Sequence, residues 1–376
     1  ETDVLDTWFS SALWPFATQG WPSKGKVKVQ NLPWTNVLIT AREIINLWVS
    51  RMVYSSLNLT NQLPFTDILI HPVIQTPDGK RMSKSKGNAI NPVELIDLYG
   101  ADATRLWYAS VGVFAHQDTR FPGKKEKDSE GNIKWTSQAI ENKKRFINKL
   151  WNATKFALLK IEGISNAKSF WEDKKNINEV ISLLSEKEKH NTANIWITSK
   201  WNSVLAESIQ HLQHYRFAEY SKLLEDFVWY DFCDWYLEIA KIQLNNSSDS
   251  ETATTVFYIL EQVLRALNPI IPFASEELWQ GLTQKNDCLA LMPYPKDGKL
   301  NSENLTLQNT SNAKINNLQN VVSGLRSIRQ KILGLSPNTV LKTASLPENA
   351  EKFLGLSTDI FVAIAKVDCS AASSES

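Results

Sequence analysis

Gly79-Lys80-Arg81-Met82-Ser83-Lys84-Ser85-Lys86-Gly87-Asn88 is the stretch on which the reading of this chain turns. Lys80, Arg81, Lys84 and Lys86 supply four cations, Ser83 and Ser85 two hydroxyls, and two glycines bracket them as hinges. Just upstream, Asp67 to Gln75 (DILIHPVIQ) reads as a strand, closed by the turn signal Thr76-Pro77-Asp78-Gly79. A mobile cationic loop beyond the carboxyl end of a strand suits a triphosphate. Its ammonium groups can neutralise charge developing on transferring or leaving phosphates. The spacing is not that of a Walker A loop. The alternative reading is a basic surface loop.

Working outward, Asn36 to Thr40 (NVLIT) is a short β-branched run suited to a buried strand. From Ala41 to about Leu59 the period becomes helical, with Ile44, Ile45, Trp48, Met52 and Leu59 on one side. Strand followed at once by helix predicts a parallel α/β sheet. Pro92 suits the first turn of a helix that stops near Gly100, and Ala101 to Ser110 reads as the next. Gly123 to Gly131 (GKKEKDSEG) reads as a charged loop. A long amphipathic helix is expected from about Ser137 to Ile161, with further helices near 192–212, 217–244, 252–267 and 273–283. Pro269 and Pro272 separate the last two. The pattern is that of an antiparallel helical bundle, with Trp151, Trp196, Trp201, Trp229, Trp235 and Trp279 as core anchors. Beyond Leu300 the sequence predicts one helix (Asn316 to Leu333) and β-like runs at Thr339–Leu346 and Ile360–Val367. A low-complexity tail closes the chain at Ser370–Ser376.

At 376 residues, 43% hydrophobic and 22% charged, the composition excludes wholesale disorder and implies two or three domains. No apolar run approaches the ~20 residues of a membrane span, so no membrane partner is expected. Three scattered cysteines (Cys233, Cys288, Cys369) make neither a disulfide framework nor a zinc motif, and a cytoplasmic location is expected. The net charge of +1 hides a segment at 120–189 of net +6 beside one at 190–299 of net −6. The basic stretch is either a site for a polyanion or a solvated lysine face.

Arg81-Met82-Ser83-Lys84-Ser85 resembles the KMSKS signature of class I aminoacyl-tRNA synthetases, with Arg in place of the first Lys. Asp6-Thr7-Trp8-Phe9-Ser10-Ser11-Ala12-Leu13-Trp14-Pro15-Phe16 resembles valyl-tRNA synthetases, and Ser10-Ser11 after Trp8-Phe9 argues against the isoleucyl type. The segment from Val37 to Met52 resembles the family's Gly-x-Asp-x-x-x-x-Trp pattern, Ala41 standing for Gly and Glu43 for Asp. Asp102-Ala103-Thr104-Arg105 resembles the DALR-type junction with the anticodon-binding domain.

The resemblance implies an α/β class I Rossmann-type catalytic half (1–100) bearing the loop, then a connecting stem-contact region (101–136). It further implies an all-α anticodon-binding bundle (137–300), a small α/β C-terminal region (301–368) and a tail (369–376). Its implied function is activation of valine by ATP with Mg2+ and transfer to tRNA(Val), by an enzyme monomeric when complete, with neither a tightly bound cofactor nor zinc. Lys84, Arg81 and Ser83 would be catalytic. Glu43, His71, Met82, Lys84 and Ser85 would bind ATP, although a structural role for His71 stands beside this. Trp8, Ile44 and Trp48 would wall the valine pocket, and Lys143, Lys144, Arg145 and Lys149 would follow tRNA phosphates. No HIGH-type segment or editing domain is found, so the chain is expected to be part of a longer synthetase, inactive in isolation. The alternatives are an isoleucyl-type enzyme and a non-catalytic tRNA-binding module of a split synthetase.

Overall fold

The computed structural model describes residues 2–22, 35–83, 85–113, 118–127, 131, 133–161, 177–185, 192–246, 250–342, 350–354 and 356–368. They fall into two compact units: one of residues 1–95, 108–139 and 215–218, the other of 96–107, 140–214 and 219–376.

In the first unit, helix α1 (Thr7–Ala17) is started by Asp6, whose carboxylate accepts the Trp8 N–H at 2.7 Å. Strands β1 (Thr35–Ala41) and β2 (Phe65–His71) pair in parallel, from Thr35 opposite Phe65 to Ala41 opposite His71. Parallel pairing requires a crossover, which contains helix α2 (Ser50–Thr60). The helix expected from Ala41 is not one continuous α-helix. A 3-10 turn at Arg42–Ile44 and a wider π-helical turn at Ile45–Val49 precede α2. Val49 and Met52 pack with Leu38 and Phe65, and Trp48 lies against this cluster. Short strands β3 (Ile74–Gln75) and β4 (Thr119–Arg120) pair in parallel. Helices α3 (Pro92–Tyr99) and α4 (Ala101–Val111) form where expected.

Gly123–Gly131, expected as a loop, contains strand β5 (Lys124–Lys127), paired antiparallel with β6 (Ile133–Thr136). All four residues of β5 are exposed, so the strand carries no apolar alternation to betray it. Phe121 meets the Trp135 ring edge-on at 5.8 Å, and Lys125 lies 5.2 Å above the same ring.

The second unit is helical. It contains α5 (Gln138–Ile161), α6 (Ile177–Ser185), α7 (Thr192–Gln213), α8 (Phe217–Asp226, from Glu219), α9 (Leu237–Asn246), α10 (Ser250–Leu267), α11 (Pro272–Thr283) and α12 (Ser302–Ser327). A π-helical segment, Phe227–Tyr236, joins α8 to α9. Trp196, Trp201 and Trp279 are buried as expected, whereas Trp229 and Trp235 are half-buried. Trp151 is 42% exposed and is no core anchor, because its neighbour Leu150 occupies the buried stripe of α5.

The Asp102–Arg105 segment fastens the turn between α10 and α11. The Asp102 carboxylate accepts the backbone N–H of Phe273 (3.3 Å) and Ala274 (2.6 Å), capping α11 from another helix. Arg105 donates to the carbonyls of Ile270 (2.9 Å) and Pro269 (3.1 Å).

Helix α12 starts well before the expected Asn316, capped by the Asn301 side chain, and ends in a π-helical turn at Ile328–Ile332. Ile360–Val367, expected as β-like, is instead mostly helix α14 (Thr358–Ala365), which follows α13 (Ala350–Leu354). Of the run expected at Thr339–Leu346, β7 (Leu341–Lys342) pairs in parallel with β8 (Val367–Asp368), and residues 343–346 lie outside the described residues. The buried Arg329 donates to the carbonyls of Ala365 and Lys366, at the end of α14 where the helix dipole favours a cation. Ser370–Ser376 lie outside the described residues. Among the described residues no helix is long and apolar enough to cross a membrane.

Candidate active site

Glu43 and Ile44 lie in the turn that follows β1, His71 ends β2 and Arg81 reaches Glu43, so these residues stand at the carboxyl ends of the parallel pair, where parallel sheets bind ligands. Trp8, Ile44 and Trp48 are all half-buried. The Arg51 guanidinium lies 5.7 Å over the Trp8 ring. Trp48 is held at both ends. Its ring tilts against Trp14 at 6.4 Å, and its Nε1–H donates to the Ser11 carbonyl at 3.0 Å. That carbonyl is open because the residue four positions on is Pro15, which has no N–H to return to it. A proline inside α1 thus leaves free the acceptor that orients the Trp48 ring.

The cationic loop is built in two parts. At its base Thr76 closes the turn: its N–H donates to the Lys80 carbonyl (2.9 Å), and its hydroxyl contacts Asp78 (2.5 Å) and Lys80. Lys80 Nζ pairs with Asp78 at 2.7 Å, which holds the Asp78 carboxyl down at about 2. Gly79 adopts φ +79°, and a Cβ there would come within 3.1 Å of the Arg120 guanidinium. At the tip Asn88 spans the loop, its Oδ1 accepting Ser83 N–H (2.9 Å) and its Nδ2 donating to the Arg81 carbonyl (3.1 Å). Ser83 Oγ lies 3.3 Å from both Ser85 Oγ and Lys86 N. Met82 and Ser83 are half-buried and Ser85 is exposed; Lys84 lies outside the described residues.

Glu43 and Arg81, the carboxylate of the 3-10 turn and the first cation of the motif, face each other at 4.0 Å. His71 ends β2 with Nδ1 at 2.9 Å from the Pro72 carbonyl. Behind them sits a residue the sequence reading passed over. Asp118 accepts a two-pronged contact from Arg42 (2.8 and 2.7 Å), the Val73 N–H (3.1 Å) and the Gln75 amide (3.1 Å). These donors, Arg42 foremost, pull the Asp118 carboxyl below its ordinary range, and the Asp118 carboxylate in turn raises Arg42. No local signal marks it, since its donors lie more than forty residues away in sequence. Among the described residues no three His, Cys, Asp or Glu side chains converge as a metal site.

The four cations selected in the bundle are differently engaged. Lys143 makes an ion pair with Glu225 (2.7 and 2.9 Å), both side chains largely shielded. Burial pushes the Glu225 carboxyl up, against the pull of Lys143. Lys149 touches Asp234 at 2.5 Å and stands 4.0 Å over the Trp229 ring. Lys144 donates to the Leu98 carbonyl at 3.1 Å. Arg145 pairs with Glu141 one turn away (3.6 Å), and its side chain is 62% exposed.

Residues 1–120 match the family "tRNA synthetases class I (I, L, M and V)", and residues 194–344 match "Anticodon-binding domain of tRNA ligase". Curated relatives include the valine-tRNA ligase of Bacillus licheniformis, 36% identical over 94% of this chain and 37% of its own length. That of Enterococcus faecalis is 38% identical over 78% of this chain and 30% of its own. The chain therefore spans about a third of the length of the curated relatives it matches. Among solved structures, the LeuRS of Agrobacterium radiobacter, in a ternary complex with tRNA and LeuAMS, superposes with a TM-score of 0.54. At 16% identity over 78% of this chain and 34% of that one, it shows likeness of fold alone. The chain thus carries a class I tRNA synthetase catalytic segment followed by an anticodon-binding domain, and its sequence is similar to those of valine-tRNA ligases.

Proposed function

We propose that this chain contributes to a valine-tRNA ligase the half of its active site that handles the leaving pyrophosphate, together with the domain that holds the tRNA. The observation that carries the reading is the pairing of Glu43 with Arg81 of the cationic loop, Glu43 lying just past the carboxyl end of parallel strand β1. In the proposed reaction a valine carboxylate oxygen bonds to the α-phosphorus of Mg2+-bound ATP. The bond to the bridging oxygen breaks, and pyrophosphate leaves. Arg81 and Lys84 neutralise charge on the departing phosphates, and the Ser83 and Ser85 hydroxyls donate to them. Glu43 accepts from the ribose hydroxyls. His71 and Met82 line the base, and the magnesium ion arrives on the nucleotide as substrate. Trp8, Ile44 and Trp48 form a dry slot for a small branched side chain. The bundle takes tRNA(Val), with Arg145 exposed toward a backbone contact.

The test is amino-acid-dependent ATP–pyrophosphate exchange by the complete protein that carries this chain. Valine should drive exchange, and Lys84→Ala should lower its rate by about 10²–10³ with little change in valine affinity. Exchange driven better by isoleucine would transfer the assignment to the isoleucyl type. tRNA binding without any exchange would leave a non-catalytic module.

A further inference from the structure

The contacts of Asp118 close a ring. Arg42, gripped by its carboxylate, is the chain neighbour of Glu43. Gln75, held through its amide, forms an isolated antiparallel bridge with Arg81. Arg81 in turn reaches Glu43 at 4.0 Å. The backbone strengthens the same circuit, since Thr119 N–H donates to the Val73 carbonyl (3.0 Å) and Phe121 N–H to that of Gln75 (2.9 Å). One carboxylate thus fixes both a turn that presents Glu43 and the strand from which the Gly79–Asn88 loop departs.

We propose that Asp118 is a positioning residue of the nucleotide site: it sets the spacing between Glu43 and the base of the cationic loop without touching the nucleotide. The proposal rests on the nucleotide reading above. Its logic is geometric. Glu43 and Arg81 are long side chains on separate segments, and their own exposed pair is too weak to fix their spacing. A shielded carboxylate with four donor groups from two separate segments does so, because charge-assisted forked contacts resist displacement.

The test uses limited trypsin digestion of the native chain, since Lys80, Arg81, Lys84 and Lys86 are themselves cleavage sites. Asp118→Asn keeps the shape but loses the charge. It should speed cleavage within 80–86 by about fivefold, the factor expected from the anchoring lost with one hydrogen bond. Cleavage after the exposed Lys285 should be unchanged, and Asp118→Glu should restore part of the protection. In the complete protein, Asp118→Asn should raise KM for ATP while KM for valine holds. Cleavage within 80–86 unchanged in a folded Asp118→Asn protein overturns the proposal, as does equal acceleration at both sites. In the complete protein, Mg2+ with ATP protects the unsubstituted loop if the nucleotide reading is right. Faster cleavage in the variant without nucleotide protection of either protein would keep the strut and remove the nucleotide, overturning the reading beneath it.

Discussion

Pro15 and Trp48 show how a single residue's missing atom becomes another's partner. Removing a helical N–H leaves a carbonyl four residues back, and a buried acceptor left open costs free energy. Here the indole N–H of Trp48 fills it. The consequence is a measurable coupling. Trp48→Phe should destabilise the fold by about 1 kcal/mol, because the Ser11 carbonyl loses its donor. In a Pro15→Ala background the restored helical N–H takes that carbonyl, so the same change should cost markedly less. A double-mutant cycle by urea unfolding would give an interaction energy of about 0.5–1.5 kcal/mol. An interaction energy of zero would mean that the indole contact contributes nothing to stability. Nothing in the local pattern gave this away. The sequence pattern put Trp48 on an apolar helical stripe, which says nothing of what its ring nitrogen meets. Its anchor depends on α1 lying beside the turn after β1.

At the scale of elements, the Asp102–Arg105 segment explains itself as a clamp. Asp102 caps α11 from outside that helix, and Arg105 holds the two carbonyls just before it. Asp102→Ala should cost about 1–2 kcal/mol, the usual price of an N-cap, and Asp102→Asn less, since an amide oxygen still accepts. The pH dependence has a definite sign. Burial raises the folded carboxyl above its ordinary value, its hydrogen bonds only partly opposing this. The folded state therefore holds the proton more tightly than the unfolded one. The group's contribution is fully present below about pH 4, its unfolded value, and is lost as pH rises through the folded value. Unfolding midpoints of the parent, measured against Asp102→Asn from pH 4 upward, should show the parent's relative stability falling. A rise would mean that capping hydrogen bonds outweigh desolvation. Other elements show why sequence reading stopped where it did. Helices with a clear apolar stripe, such as α5 and α10, were legible to within a few residues. β5 was not, because its partner β6 identifies it and its own side chains all face water. Ile360–Val367 is apolar at nearly every position, so periodicity could not distinguish strand from helix.

Across the whole molecule, the basic and acidic segments are partly neutralised by each other rather than left for a partner. Lys143 of the +6 segment meets Glu225 of the −6 segment, and Lys149 meets Asp234. The charge pattern of the sequence therefore reports bundle assembly as well as any nucleic-acid surface, and the two functions separate residue by residue. If the bundle binds tRNA, a cation already held in a shielded pair contributes to folding, and an exposed one contributes to the phosphate contact. Arg145→Ala should flatten the log–log salt dependence of tRNA(Val) binding by about 0.7–0.9, the loss of one counterion-releasing contact. It should leave stability nearly unchanged, because Arg145 is largely exposed and its ion pair with Glu141 spans one turn of the same helix. Lys143→Ala should do the reverse. The slope should hold, while the stranded, shielded Glu225 carboxylate lowers stability by about 1–3 kcal/mol. Anisotropy titrations across a salt series, paired with urea unfolding of the same proteins, read both quantities. A flattened slope for Lys143→Ala with intact stability would show that the Glu225 pair opens to RNA and that the charges of this bundle serve binding before packing.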